Sequence, residues 1–194
     1  MPSSKTELAR RLELAKPRDS IRGMFFNVIF DLVAQHHGQD GVRRIRSGNL
    51  ALQLSDLASY PVTNFLNLLY ATADELEPTL GDERKVFYLC GGASVRRFAS
   101  TGAGSLLFNV LGRGDARKLL AGAAKGYATT VNYGSREFLS LGERQGKMIF
   151  KSDMVPPPYH EGVLTEGLRA AGFEGTVLSR ALALDHAEYL ISWR

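Results

Sequence analysis

Apolar residues recur at helical spacing through the first two thirds of the chain. Between 21 and 37 they occupy nearly every face of the predicted helix, which is typical of a helix at the centre of a core. The same spacing over 62–76 and 82–99 predicts two further helices, and Asp115 can cap another that ends near Tyr133. This part of the chain is therefore expected to be mainly helical.

In the last third of the chain the pattern changes from helical spacing to alternation. The runs Glu137–Leu141 and Lys147–Lys151 are joined by a polar loop with a glycine at each end, which predicts a β-hairpin. A helix over Tyr159–Ala171 follows three prolines, whose fixed φ suits the start of a helix. The runs Thr176–Ala183 and Ala187–Arg194 predict a second hairpin, so the order is β-β-α-β-β.

Helices followed by antiparallel strands indicate an α+β fold. At 194 residues the chain can bury a substantial core, and no linker-like stretch divides it. We therefore expect one domain, with residues 1–135 mainly helical and residues 136–194 forming a four-stranded antiparallel sheet with one flanking helix.

The composition is that of a soluble globular protein, with 44% hydrophobic and 23% charged residues. The single cysteine, Cys90, cannot form an internal disulfide, which fits a reducing compartment. The N-terminus lacks the apolar core of a signal peptide, and no stretch approaches the roughly 20 apolar residues of a membrane span. These features predict a cytoplasmic protein without a transmembrane segment.

The net charge of +4 leaves nucleic acid and anionic membranes as conceivable partners. The basic residues are, however, scattered over several predicted helices, without interleaved aromatic residues or a recognisable reading helix. Ordinary solvated surface explains them better, so nucleic acid is not expected as a partner.

No motif in the sequence predicts a metal site or a catalytic centre. Gly142–Met148 resembles a phosphate-binding loop but is one residue short and lacks the Ser or Thr that holds magnesium, which favours a hairpin turn. His36 and His37 are adjacent, so on a helix they point in different directions and cannot share one ion. We expect His160 and His186 to be polar surface residues.

Several segments carry a resemblance to known families. Tyr159–Leu164 and Tyr189–Trp193 look like the ending of the vinyl-reductase-type domains of bacterial regulators, and the β-β-α-β-β order resembles the wider superfamily that also includes haem nitric-oxide/oxygen binding domains and the small subunits of TRAPP tethering complexes. More closely, Ile21–Asn27, Tyr60–Val62, Tyr133–Arg136 and Tyr159–Leu164 are similar to a family of paralogous myxobacterial proteins without an assigned activity.

The resemblance implies haem for one branch of this superfamily, but two departures argue against it here. Haem domains of the superfamily hold the propionates with a Tyr-x-Ser-x-Arg motif, whereas Tyr133–Arg136 reads Tyr-Gly-Ser-Arg and is one residue short. No histidine lies between His37 and His160, so the middle helices offer no proximal iron ligand. We therefore expect neither haem nor another cofactor.

The resemblance and the architecture together predict a non-catalytic sensor or adaptor domain. A cavity between the helices and the sheet would bind a small apolar ligand or an acyl chain, and the domain would act as a homodimer through contacts with a protein partner. The candidate ligand-binding residues are Phe87, Cys90, Tyr127 and Tyr133, because their helices precede the sheet and carry glycines that make space.

Two alternatives remain open at this point. The first is a purely structural partner-binding module whose interior is fully packed. The second is an enzyme that uses Cys90 or a histidine, since a catalytic constellation is assembled in space and sequence alone does not exclude it.

Overall fold

The computed structural model describes residues 4–46, 54–111 and 114–194. In chain order the elements are α1 (Ser4–Leu14), β1 (Ser20–Arg22), α2 (Gly23–Ile45), β2 (Ser59–Pro61), α3 (Val62–Leu80), α4 (Glu83–Ala99), α5 (Gly102–Ser105), a π-helical segment (Leu106–Leu111), α6 (Ala116–Tyr127), β3 (Ser135–Ser140), β4 (Gln145–Lys151), α7 (Pro157–Ala170), β5 (Gly175–Ala183) and β6 (His186–Trp193).

The four long strands form one antiparallel sheet in the order β3-β4-β6-β5. Phe138, Met148 and Tyr189 lie side by side on its inner face. Met148, Phe150 and Tyr189 are buried against side chains of α6 and α7. The predicted α+β class, the two hairpins and the β-β-α-β-β order are therefore confirmed.

The first helices build a second core around aromatic side chains. Phe26 on α2 and Phe65 on α3 have no exposed surface and meet edge to face, with ring centroids 5.3 Å apart. Tyr159, at the start of α7, packs edge-on against Phe65 at 5.8 Å. Such pairs add to the stabilisation from burial alone, and here they join α7 to the helical core.

Two glycines allow α4 and α7 to pack backbone against backbone. A Cβ atom at Gly91 would lie 1.9 Å from the carbonyl oxygen of Tyr159, and one at Gly162 would lie 2.0 Å from that of Tyr88. Any side chain at either position would therefore push the helices apart. This close contact fixes the position of α7, on which several residues of the candidate site lie.

The short strands β1 and β2 were not expected from the sequence, which predicts only helix before residue 136. They pair antiparallel, with Ile21 opposite Tyr60, and Ile21 also bridges to Val131. Strands of three residues are too short to show alternation, and their pairing depends on segments far apart in the chain. As a result α2 begins at Gly23 and not at Ile21.

One helix end also differs from the prediction. The helix α6 ends at Tyr127 because the chain then turns towards Val131. The range of α2 joins two helical stretches across Gly38, whose φ of 64° is not helical, so the first stretch ends where the sequence predicts, near His37. None of the helices in the described ranges is both long and apolar enough to cross a membrane.

Candidate functional site

An apolar cavity of about 90 Å³ lies between α4, α6 and α7 and reaches the first turn of α2. Its walls are mainly aliphatic and aromatic side chains. These include Phe25, Val95, Phe98, Leu107, Phe108, Leu120, Val163, Leu164 and Leu168. The cavity is bounded by both the helical core and the helices that cover the sheet.

One end of the cavity borders a buried polar group, which we call the Asp153 cluster: Tyr127, Tyr133, Arg136, Asp153 and His160. All but Asp153 line the cavity. Arg136 donates a hydrogen bond from Nη2 to Asp153 Oδ2, and His160 Nε2 lies 3.2 Å from the same oxygen. The other carboxylate oxygen accepts the backbone N–H of Val155 at 3.1 Å. Asp153 therefore holds the cluster together.

The guanidinium of Arg136 is enclosed by aromatic rings. Its central carbon lies 5.0 Å from the ring centroid of Tyr127, 5.3 Å from that of Tyr133 and 5.5 Å from that of Phe150. It also donates a hydrogen bond to the carbonyl oxygen of Tyr133. Cation–π contacts of this kind are strongest where the cation is desolvated, as it is here.

His160 is equally enclosed. Its Nδ1 atom lies 3.1 Å from the hydroxyl of Tyr127, and its ring packs against Phe150 at 4.7 Å and Tyr159 at 5.5 Å. The Nε2 atom is near Asp153 but outside hydrogen-bond geometry, so it has no hydrogen-bond partner among the described residues. Only 3% of this side chain is exposed, so the prediction that His160 is a surface residue was wrong.

The cluster keeps its acid ionised and its phenols neutral. Burial alone would raise the pKa of Asp153, but His160 and Arg136 outweigh burial and hold that pKa well below its ordinary value. Burial raises the pKa of both Tyr127 and Tyr133 well above the ordinary value. The cavity thus ends at an ion pair flanked by two phenol groups.

The structure brings two of the four predicted ligand-binding residues together and places the other two elsewhere. Tyr127 and Tyr133 line the cavity. Phe87 and Cys90 are buried in the helical core, where Phe87 packs edge-on against Tyr70 at 5.1 Å. The glycines of α4 do not make space there, because Gly91 brings α7 close. Ligand contact by these four residues stays a prediction.

Arg136, Asp153 and His160 are the site residues that sequence reasoning missed. Arg136 could have been found, because it ends the segment Tyr133–Arg136 and the alternation of β3 directs its side chain inward. No sequence pattern pointed to Asp153, since it lies in an irregular segment after β4. Within the described ranges no group of three or more His, Cys, Asp or Glu side chains could hold a metal ion.

The fold is similar to that of H-NOX proteins. The structure of the Fe(II) unliganded H-NOX protein from K. algicida superimposes with a TM-score of 0.71 at 14% identity, covering 90% of this chain and 97% of that one. An H-NOX protein from S. oneidensis in the Fe(II)NO ligation state gives 0.69 at 15% identity, covering 90% and 99%. The predicted resemblance to haem nitric-oxide/oxygen binding domains is thus confirmed at the level of fold.

The side chains at the cavity do not fit a haem. An engineered apolar cavity of about 150 Å³ accommodates benzene, and a porphyrin is many times larger than benzene, whereas this cavity has about 90 Å³. Haem iron needs an imidazole, thiolate, thioether or phenolate ligand. His160 is the one histidine of the described residues that lines the cavity, and its ring is already enclosed by the cluster. Tyr127 and Tyr133 stay protonated.

Arg136, the residue that would correspond to the propionate-binding arginine of a haem domain, already has other partners in this structure. Arg136 is bound by Asp153 and by the carbonyl of Tyr133, and aromatic rings enclose its guanidinium. Both members of the Arg136–Asp153 pair are almost fully buried, with 4% and 2% of their side chains exposed. A propionate would have to displace Asp153, whose charge would then be left buried and unpaired.

No curated protein matches this chain in sequence. The resemblances to vinyl-reductase-type domains and TRAPP subunits, and the myxobacterial relationship, stay predictions. The sequence model of the family described as "Protein of unknown function (DUF2378)" matches residues 14–194. The chain therefore belongs to the DUF2378 family.

Proposed function

We propose that this protein is a non-catalytic, haem-independent sensor domain that binds a small apolar molecule in the cavity between α4, α6 and α7. The observation that carries the proposal is the cavity itself, whose walls are aliphatic and aromatic and which lies where two cores meet. The H-NOX proteins, whose fold is similar, bind ligands, as the Fe(II)NO ligation state of the S. oneidensis protein illustrates.

The size of the cavity limits the ligand. About 90 Å³ suits a molecule somewhat smaller than benzene, or a short hydrocarbon chain. A long acyl chain would need the wall to move. The wall element best suited to such movement is the π-helical segment that carries Leu107 and Phe108, because π-helical geometry is less regular than α-helical geometry. A small apolar molecule is therefore the better candidate.

Ligand binding would reach the sheet through α6. Tyr127, at the end of α6, contacts the ring of Phe150 on β4 at 5.2 Å and approaches Nδ1 of His160 on α7 at 3.1 Å. A ligand that fits only one position of α6 would favour one arrangement of these contacts. Differential affinity of this kind is what allows a ligand to shift a conformational equilibrium and so change partner binding.

An NMR titration of methyl groups with benzene and with shorter hydrocarbons tests the proposal. We expect saturable shifts at Leu107, Leu120 and Val163, and a concentration-dependent rise in melting temperature. Ala123→Leu should abolish both effects because Ala123 lines the cavity. Ala121→Leu is the matched control on the exposed side of the same helix and should leave them unchanged.

The small cavity volume also favours a second candidate, a partner-binding module that takes no ligand. If the wild-type protein shows no saturable shift with any of these hydrocarbons, the sensor proposal fails and this alternative stands. An absorbance scan after incubation with haemin should show no Soret band typical of a coordinated haem.

An enzyme that uses Cys90 has less support. The thiol is fully buried, and burial raises its pKa to about 12, so a reactive thiolate would be rare at neutral pH. Alkylation of Cys90 faster than that of free cysteine would revive this alternative.

A further inference from the structure

The outer face of the sheet carries a row of exposed leucines. In the strand register, Leu139, Lys147, Leu190 and Leu178 lie side by side across β3, β4, β6 and β5. Leu139 and Leu190 are each 39% exposed, and Leu178 is 67% exposed. Single exposed leucines are ordinary, but here Leu178 and Leu190 are neighbours on adjacent strands, and Leu139 lies in the same row beyond Lys147. The row is therefore apolar except for one lysine, whose aliphatic stem can extend the apolar surface, and such a patch is typical of an interaction surface.

The next outward row carries opposite charges at its two ends. Glu137 lies on the edge strand β3 and Arg180 on the opposite edge strand β5, with Ile149 and Glu188 between them in the same row. Glu188 pairs with Lys147 of the leucine row at 3.3 Å. Glu137 and Arg180 form no ion pair with any described residue, so the unpaired charges of the row are the acid at one edge and the base at the other. Strand spacing puts their backbones about 14 Å apart, which is too far for them to pair with each other.

We propose that two copies of this chain stack through these outer faces, about a two-fold axis that runs parallel to the strands, between the two sheets and over the midline of each. This axis places β3 of one copy over β5 of the other. Leu139 then faces the partner's Leu178, and Glu137 faces the partner's Arg180. Each contact occurs twice, and the faces stack at the usual distance of about 10 Å.

The arrangement of charges selects a second copy over another partner. The row has Glu137 at one edge and Arg180 at the other, so it is complementary to a row in which these charges are reversed. A second copy of the chain, related by a two-fold axis along the strands, presents that reversed row. An isologous interface of this type is the commonest way in which protein subunits associate. The proposal concerns a face remote from the cavity, so it goes beyond the proposed function and can hold without it.

Sedimentation velocity of the full chain over a range of concentrations tests the proposal. The wild-type protein should form a dimer. Glu137→Arg and Arg180→Glu should each raise the dissociation constant at least tenfold, because each places like charges opposite one another at two points. The double variant should recover the wild-type value, and an equimolar mixture of the two single variants should form heterodimers.

Leu178→Arg should weaken the dimer about thirtyfold, because it would put a charged group against the partner's Leu139 at two points of the interface. Leu57→Arg is the matched control, because Leu57 is 81% exposed but lies outside the sheet. Thermal unfolding of each variant verifies that the fold is retained. A wild-type protein that stays monomeric, or a dimer that neither charge reversal weakens, would overturn the proposal.

Discussion

The helical core and the cavity region are built on different principles, although they share α4 and α7. Around Phe26, Phe65 and Leu69 the side chains have no exposed surface and pack against one another. Around the cavity the interior keeps about 90 Å³ of space and an ionised Arg136–Asp153 pair. Packing stabilises the first region, whereas the second retains space and charge that a purely structural core would not need.

The largest effect is expected from removing the charge that holds the cavity region together. Asp153→Asn should lower the free energy of unfolding by about 4 kcal/mol, because it leaves Arg136 buried without its counter-ion. Urea unfolding at neutral pH measures this loss. Glu174→Gln, which removes the exposed pair with Arg194, is the control and should have little effect. Equal effects of the two substitutions would mean that the buried Arg136–Asp153 pair contributes no more to stability than an exposed ion pair.

The next largest effect tests the contact that joins the two regions. Gly91→Ala should destabilise the protein by about 3 kcal/mol, because its Cβ would clash with the carbonyl oxygen of Tyr159. Gly92→Ala is the neighbouring control: its Cβ would lie 3.5 Å from the nearest atom, and alanine is the better helix former. Gly92→Ala should therefore be neutral or stabilising by up to about 1 kcal/mol.

A pair of leucines compares the packing of the two regions directly. Leu69→Ala in the helical core should cost about 4 kcal/mol, whereas Leu120→Ala at the cavity should cost about 2 kcal/mol. The difference arises because Leu120 already borders empty space and loses fewer contacts. Chemical denaturation of both variants gives the comparison. Equal losses would mean that the cavity wall is packed as tightly as the core.

The smallest effect is a dependence on pH. Because the pKa of Asp153 is lowered in the folded state, its contribution is fully present above the ordinary carboxyl pKa of about 4 and is lost as the pH falls towards the folded-state value. Wild-type stability should therefore decline below about pH 4, and Asp153→Asn should lack this part of the decline. Melting temperatures measured from pH 7 to pH 3 would show whether the two curves converge.

The sequence was most informative for helices and strands whose pattern of apolar residues depends only on their own residues. Alternation along β3 to β6 and the helical spacing of α3 and α4 were sufficient to predict the sheet and two long helices. It was least informative where distant segments meet. The pairing of Ile21 with Tyr60, and the convergence of Arg136 and His160 on Asp153, depend on the complete fold. For the same reason, glycines in α4 indicated free space where the structure has contact.

That contact between Gly91 and Gly162 also bears on how members of the DUF2378 family can diverge. Each glycine faces the backbone of the opposite helix, so a substitution at one cannot be compensated by a smaller side chain at the other. Val163 and Leu120 instead line the cavity, where the size of one side chain can change together with that of another across the space. We therefore expect paralogues to share one rigid scaffold while single wall substitutions give each of them a different ligand preference.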